Sequence, residues 1–578
     1  MKNSSLICGL AVVTASIALA DFSVQFHKDA SQSGRLTLEW PSKTGKTYAV
    51  ESSSNLFKEG SANALSQQSS HPANTWWTSD PDAGQSVFYR IRELDPGNFS
   101  GPRAAAHRMN QRLHRGNNFM AAKSMNSDGA LEDYELLNQS RFSHCRIGYK
   151  MDEVAGAHPD YAIPASRMQD LQDMVDWCLS QGLIAIVDPV HNWANGPGYT
   201  DDDSGADGVD DQVKLQKIWE QVADHFKDYP LDMVVFEIMN EPHGNDDVAE
   251  VISIGLGAIR AIPENAERIV IVSGDGFSTR QALIDALDND EIPSNDDYLI
   301  GTFHYYDPRP FTKQGDASFT SGITWGSSAE LAEVVTKFDA VETANAAFAT
   351  RNSTDPLPVY LGEFGADNEA DNWHDDRERW LSWVRMQAEA RGFSWAHWNM
   401  YSNVDNSKGM GPWTSAERTD PTSRTFDAAP LEALIGHYEF EDGTLGGGAY
   451  HSSSEPGFSG SGYAAFPETT GVGVWARAED IYIPTTGTYL ARIHYSSHVD
   501  RSVRLVTAIA GQNHAMLNNV FFPATGGNNS WSTLEVEIAF PGSNSADPND
   551  ANRDNAQLKI VATPDTGPNL DWVHVTAP

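Results

Sequence analysis

The sequence predicts a multidomain chain: an α/β (β/α)8 barrel of the TIM type, flanked by a small N-terminal all-β domain and a C-terminal β-sandwich. Three observations predict it. At 578 residues the chain exceeds one ordinary domain, and length alone suggests about three or four. Between residues 105 and 436 short apolar strands alternate with helical patterns, the rhythm of stacked β-α units. On both sides of that stretch the pattern changes to β-rich runs separated by turn residues.

Taken in order, residues 1–20 read MKNSSLICGLAVVTASIALA. Lys2, an apolar stretch from Leu6 to Ile17 and the small-x-small end Ala18-Leu19-Ala20 make a secretory signal peptide. The expected location is therefore extracellular or periplasmic. Cys8 lies too early in the apolar stretch to be a lipid-anchor cysteine. No later apolar run reaches the ~20 residues of a membrane span. Cleavage leaves Cys145 and Cys178, one in a predicted strand and one on the apolar face of a helix; they read as free buried thiols. Residues 21–97 carry "RLTLEW", "TYAVESS" and "VFYRIREL", a small all-β domain of unknown role, and "PGNFSGPR" marks its boundary.

The barrel is assigned to residues 98–436. Its strands include "FSHCRIGY", "LIAIVDPV", "MVVFEIMN", "RIVIVSG", "YLIGTFHYY", "LPVYLGEFG" and "FSWAHWNM". A helix is expected near 165–181, with Met168, Leu171, Val175 and Cys178 at helical spacing and Gly182 as its cap. Another is expected near 211–227 with Leu215, Ile218, Val222 and Phe226 on one face. The fourth strand is expected to end at about Glu241, because Pro242 cannot continue the ladder. An open doubly wound sheet is the alternative, but no Gly-rich phosphate loop follows any strand. Residues 437–578 carry five further β-rich runs, "AEDIYIP", "TYLARIHY", "SVRLVTAIA", "TLEVEIAF" and "QLKIVAT", spaced as in a sandwich. No long Pro/Ser tether precedes them, so this module is expected to pack close to the barrel.

Composition narrows the partners. A net charge of −39 excludes nucleic acid and anionic membrane surfaces, which both need a basic footprint. The 16 Trp residues suit stacking on sugar rings. In a (β/α)8 barrel the site forms at the C-terminal strand ends. There the second strand delivers Arg146 and the third His191 and Trp193. The fourth delivers Asn240 and Glu241, the sixth His304 and Tyr306, the seventh Glu363 and the eighth Trp398. Paired carboxylates over an aromatic floor are what glycosidic cleavage requires.

With "RGNNF", "CRIGY", "VFEIMNEPH", "TFHYYDPRPFT", "GEFG" and "SWAHW" in that order, the barrel resembles glycoside hydrolase family 5, in the clan of retaining (β/α)8 glycosidases. The resemblance implies that Glu241 is the acid/base and Glu363 the nucleophile, ~5–5.5 Å apart. It implies that Arg146 and Tyr306 hydrogen-bond Glu363 and favour its charged form, while burial raises the pKa of Glu241. Asn240 would bind the sugar 2-hydroxyl, His304 would orient Glu241 or a substrate hydroxyl, and Trp398 would floor the cleavage point. Members of the family usually carry His at the third position after an Asp or Asn ending strand three. "VDPVHNW" puts Val190 there, so His191 either fills the role through a one-residue bulge or leaves it unfilled. Trp193, Trp325, Trp373 and Trp413 lie in loops on the strand-exit side, as subsite platforms or as packing of loop on barrel. Asp188 is expected to support the site, and Glu237 to belong to a buried polar layer.

The C-terminal stretches "YEFEDGTLGG", "GFSGSGY", "GTYLARIHYSS", "ATGGNNSWSTLEVEI" and "NLDWVHVT" resemble carbohydrate-binding module family 35 or its relative, family 6. That likeness implies a structural calcium, with Glu439, Glu441 and Asp571 at the carboxylate positions. Trp531 and Asn569 either touch sugar or pack in the core. No cofactor is expected for catalysis. The function expected is a secreted, monomeric, retaining endo-β-1,4-glucanase acting on polysaccharide. An endo-β-1,4-mannanase with the same pair is the alternative, and a catalytically inactive polysaccharide-binding protein a distant one. A metal-dependent hydrolase would need a His-x-His pair or clustered carboxylates at strand ends, which the sequence lacks.

Overall fold

The computed structural model describes residues 25–28, 36–41, 47–53, 63–69, 74–78, 88–94, 99, 101–120, 131–191, 211–243, 248–314, 318–319, 322–367, 376–402, 409–415, 424–426, 428–455, 458, 462–467, 473–483, 486–509, 512–542, 556–562 and 566–576. The expected signal segment at 1–20, Trp193 and Trp373 lie outside the described residues. Among the described residues no helix is long and apolar enough to cross a membrane.

Eight parallel strands close into a barrel: β1 Arg115–Met120, β2 His144–Gly148, β3 Ile184–Asp188, β4 Val234–Glu237, β5 Val270–Val272, β6 Leu299–Tyr305, β7 Val359–Phe364 and β8 Ser394–His397. Sequential strands pair around the ring, and β8 pairs with β1 to close it. Each strand is buried on both faces, so its sequence is a near-continuous apolar run. Outward residues such as Ala185, Val187, Val234, Phe236 and Val270 join the core beneath the surrounding helices. The alternate residues Ile184, Ile186, Val235, Ile271, Ile300, Tyr360 and Ala396 form a second cluster inside the barrel. Helix Ala104–Leu113 adds Ala106, Met109 and Leu113 to that cluster and plugs the strand-entry end.

The helices expected near 165–181 and 211–227 are Ala165–Ser180 and Asp211–His225. The fourth strand is shorter than expected. Its ladder ends at Glu237 rather than at about Glu241. The chain then leaves the ladder, and the Asn240 amide donates to the Val190 carbonyl (3.2 Å). Cys145 and Cys178 are free and buried.

N-terminal to the barrel, strands between Gln25 and Leu94 form two three-stranded antiparallel sheets. C-terminal to it lie two antiparallel sheets of six and five strands. The five expected runs are all strands there, Trp475–Ile481, Gly487–Ser497, Arg501–Ile509, Gly527–Phe540 and Ala556–Ala562. An unforeseen strand, Gln512–Phe522, pairs with Arg501–Ile509. These sheets pack on the barrel directly. Arg385 donates to the Val575 carbonyl (3.4 Å), His574 Nδ1 to the Gly436 carbonyl at the end of the barrel (2.9 Å), and Arg141 pairs with Glu439 (3.4 Å).

Candidate active site

At the strand-exit end the inward positions change from apolar to polar within one layer. Ile186 gives way to Asp188, Val235 to Glu237, Ile300 to Thr302 and His304; Arg146 and Asn118 face them from β2 and β1. All are buried. A buried charge must be paired and hydrogen-bonded, and Arg146 provides for this layer. Its Nε and Nη2 donate to the two oxygens of Glu237 (2.6 and 2.8 Å). Its Nη1 donates to Asn118 Oδ1 (2.9 Å) and Glu363 Oε1 (3.0 Å). Its Nη2 also donates to Asn240 Oδ1 (2.6 Å) and lies 3.3 Å from Asp188 Oδ2. The planar fork allows this; an ammonium could not make the bidentate pair.

The two glutamates stand in different surroundings. Glu363 is buried and receives Arg146 on Oε1 and the Tyr306 hydroxyl on Oε2 (2.8 Å). Glu241 is partly exposed; a hydrogen bond joins its Oε1 to His304 Nδ1 (2.7 Å), which is also 3.5 Å from Glu363 Oε2. The ladder aligns His304 with Glu363 on neighbouring strands. One oxygen of each glutamate and a His304 nitrogen all lie within 4.8 Å of one another. Burial pushes the Glu241 carboxyl above its ordinary value, against the pull of His191 and Arg146. Burial pushes His304 down to about 4, with Arg146 adding to it and Glu363 opposing. His304 is therefore neutral near pH 7, and its buried Nε2 has no hydrogen-bond partner among the described residues.

His191 reaches the site, whereas Val190 is buried in the core. His191 Nδ1 is hydrogen-bonded to Asp188 Oδ2 (2.6 Å), and its ring stacks on Trp398 (centroids 5.4 Å, 4° apart). Burial raises Asp188 to about 7 and lowers His191 to about 4. Gly148 makes this possible, because a Cβ there would sit 2.4 Å from His191 Nδ1.

All the expected barrel residues within the described part thus meet at one mouth. Two of the weighed tryptophans do not. Trp325 (1% exposed) packs on Phe311 and Trp413 (2% exposed) on Phe142, so both serve packing rather than a subsite. Sequence reasoning missed three supports. Asn118 lies in "RGNNF" and bonds the Gly362 carbonyl (2.9 Å) as well as Arg146. Ser278 donates to the Asn240 carbonyl (2.6 Å) and accepts from the His304 amide (2.6 Å), tying the tips of β4 and β6 together. Lys313 lies with its ammonium 3.9 Å from the centre of the Tyr306 ring. The strand-end search could not find Ser278 or Lys313, since neither ends an apolar run.

A second acidic group forms in the C-terminal sheets. Glu439, Glu441 and Asp571 each offer a carboxylate oxygen, all within 4.8 Å of one another. Burial, followed by the charge of Glu439, pushes Glu441 up to about 9. Its buried Oε2 has no hydrogen-bond partner among the described residues. Three hard oxygen donors with one unspent buried oxygen fit a divalent cation such as calcium. Trp531 is buried between Tyr463 and His494, and Asn569 donates to Ser496 Oγ (3.2 Å); both make packing contacts.

Two carboxylates this close, one held by a guanidinium and a phenol and one by a neutral imidazole, can divide nucleophilic and proton-transfer work on a single bond. The barrel has relatives among known proteins. A family model described as cellulase (glycosyl hydrolase family 5) matches residues 111–404. Endoglucanase H of Acetivibrio thermocellus is 31% identical over 313 residues, covering 54% of this chain and 31% of its own length. Endoglucanase B of Clostridium cellulovorans is 28% identical over 275 residues, covering 45% of this chain and 58% of its own. The chain thus spans less than two thirds of either relative. A crystal structure described as a hyperthermophilic endo-β-1,4-glucanase in complex with substrate is 27% identical, with a TM-score of 0.47 over 57% of this chain and 99% of that one.

Proposed function

The chain belongs to glycosyl hydrolase family 5 and is a glycoside hydrolase; from that premise we propose that it is a secreted, retaining endo-β-1,4-glucanase. The observation that carries the proposal is the unequal treatment of two neighbouring carboxylates. Glu363, hydrogen-bonded by Arg146 and Tyr306, attacks the anomeric carbon. Glu241, whose pKa burial raises, first protonates the leaving oxygen. It then takes a proton from the water that resolves the glycosyl-enzyme. The approach of their oxygens to within 4.8 Å favours this double displacement over inversion, which needs ~6.5–9.5 Å for an intervening water. Asn240 meets the sugar 2-hydroxyl, and the Trp398 ring, braced by His191, lies under the sugar. The names of the relatives, endoglucanases, support a glucan as substrate.

The flanking parts belong to the same proposal. Residues 1–20 direct export, and residues 21–97 form an N-terminal β domain. The two C-terminal sheets form a β-sandwich of the carbohydrate-binding type, with calcium held by Glu439, Glu441 and Asp571. The enzyme acts as a monomer on polysaccharide.

The test is reducing-sugar release from carboxymethylcellulose, mixed-linkage β-glucan, β-mannan and xylan by wild type, Glu363→Gln and Glu241→Gln. Glucan hydrolysis that both variants lose by at least about 10³-fold, with the β-anomer as first product by NMR, is the expected result. Activity confined to mannan would keep the mechanism and replace the substrate. An α-anomer as first product would overturn the mechanism.

A further inference from the structure

We propose that Lys313 is a positioning residue of the catalytic centre: seated on the Tyr306 ring, it fixes the phenol that holds Glu363 and sets the pH at which Glu241 gives up its proton. The proposal rests on the roles assigned above to the two glutamates.

The geometry is built from both sides of Lys313. It follows the short helix Arg309–Thr312, and its amide donates to the Arg309 carbonyl (2.9 Å). Buried Thr312 donates its hydroxyl to the Tyr306 carbonyl (2.5 Å), and its carbonyl accepts from the Asp367 amide (2.9 Å). Buried Gln314 donates to the Ile323 carbonyl (2.8 Å) and accepts from the Gly322 and Ile323 amides (2.7 and 2.8 Å). The backbone of Lys313 is thereby clamped, and its half-buried side chain is delivered over the tyrosine face. The ammonium stands 3.9 Å from the ring centroid, where the ring quadrupole attracts it. Among the described residues it has no hydrogen-bonded or ion-paired partner. A surface lysine ordinarily swings out to water; this one is held on an aromatic face instead.

Two effects follow. A cation against the π face draws electron density from the phenol, which strengthens its hydroxyl as donor to Glu363 Oε2 (2.8 Å). The same charge acts on Glu241 through the mouth of the barrel. The charged or titratable groups bearing on Glu241 are Glu363, Asp188, His191, His304, His243, Tyr306, Arg146 and Lys313. His191 and His304 are pushed to about 4 by burial, so they carry no charge near neutrality. Arg146 is shared among Glu237, Glu363 and Asp188. Lys313 is the cation beside the pair with no carboxylate bonded to it among the described residues. The charges it faces are Glu363, Glu241, Arg309 and Asp367. A positive charge favours the carboxylate form, so Lys313 lowers the pH at which Glu241 deprotonates, and its removal raises that pH.

The test does not depend on the substrate. The full chain is labelled with ¹³C at glutamate carboxyls and titrated by NMR, with Glu241 identified by its absence from Glu241→Gln. In Lys313→Met, Glu241 is expected to titrate about 0.5–1 pH unit higher than in wild type. Lys313→Gln must move it the same way, and Lys313→Arg must return it toward wild type. A Glu241 titration that coincides in wild type, Lys313→Met and Lys313→Gln overturns the proposal. On a hydrolysed substrate, the alkaline limb of kcat/KM should move up in Lys313→Met, with kcat changing more than KM. A rise in KM alone, with both limbs fixed, also overturns it. Should no glucan be cleaved, the endoglucanase reading falls while the titration still decides the lysine.

Discussion

Arg146 gathers more of the site than either glutamate does. Its guanidinium is fully buried and reaches Glu237, Glu363, Asn240, Asn118 and Asp188. Removing one partner from a buried ionic network leaves the others uncompensated, at about 3–5 kcal/mol. Arg146→Met should therefore lower unfolding stability by about that amount in a denaturant titration and abolish hydrolysis. Tyr306→Phe removes one hydrogen bond to a charged group, about 1.5–3 kcal/mol. It should lower kcat about 10- to 100-fold and shift the denaturation midpoint by less than Arg146→Met does. Equal stability losses in the two variants would contradict this division. At this scale the sequence was readable wherever a polar residue closed an apolar run, as Glu241 and Glu363 do. Lys313 was hidden because a short helix folds it back over Tyr306, and local pattern carries no record of that return.

At the scale of elements, ladder register does the positioning. His304 lies level with Glu363, and Gly148 level with Asp188. Gly148 leaves the space that the His191 ring occupies. Gly148→Ala should displace His191 from Asp188 and Trp398, and reduce kcat/KM at least as far as His191→Ala. In the double variant the two losses should not add; additive losses would show that the alanine acts elsewhere. This element also explains how the strand-three departure resolves. Val190 turns into the core and His191 into the site, a choice of facing that a linear alignment of positions does not contain. The alternating and apolar strands were legible in advance. Strand Gln512–Phe522 was not, because it is mostly exposed and rich in Asn, and its inner face is only partly buried through Ala515, Leu517 and Val520. Trp325 and Trp413 illustrate the converse: loop position suggested a platform, but bulk drew both into packing.

At the scale of the molecule, side chains of Arg385 and His574 donate to backbone carbonyls across the junction of the barrel and the C-terminal sheets. Their expected close packing therefore has a physical basis in carbonyls that cannot be left unsatisfied. The carboxylates Glu439, Glu441 and Asp571 sit in those sheets, and Glu439 also pairs with Arg141 of the barrel side (3.4 Å). Calcium added to the metal-free chain should raise its melting temperature in a concentration-dependent way. At about 100 times the dissociation constant the gain should be about 2.7 kcal/mol. Glu441→Gln should remove most of that response, and a wild-type melting temperature indifferent to calcium would refute the site. The sequence supplied the three carboxylates through a motif likeness; their convergence depends on strands far apart in the chain, which no local spacing encodes.

The plug at the base of the barrel has a consequence for traffic. Ile186, Val235, Ile271, Ile300 and Tyr360, backed by Ala106, Met109 and Leu113, form a buried apolar floor below Arg146. Among the described residues, this apolar floor lies between the strand-entry end and the glutamates. In the double displacement proposed above, the water that finishes the reaction would come through the same opening by which the severed chain departs. Arrival and departure are queued at one door, and a second sugar waiting there competes with water for the same bond.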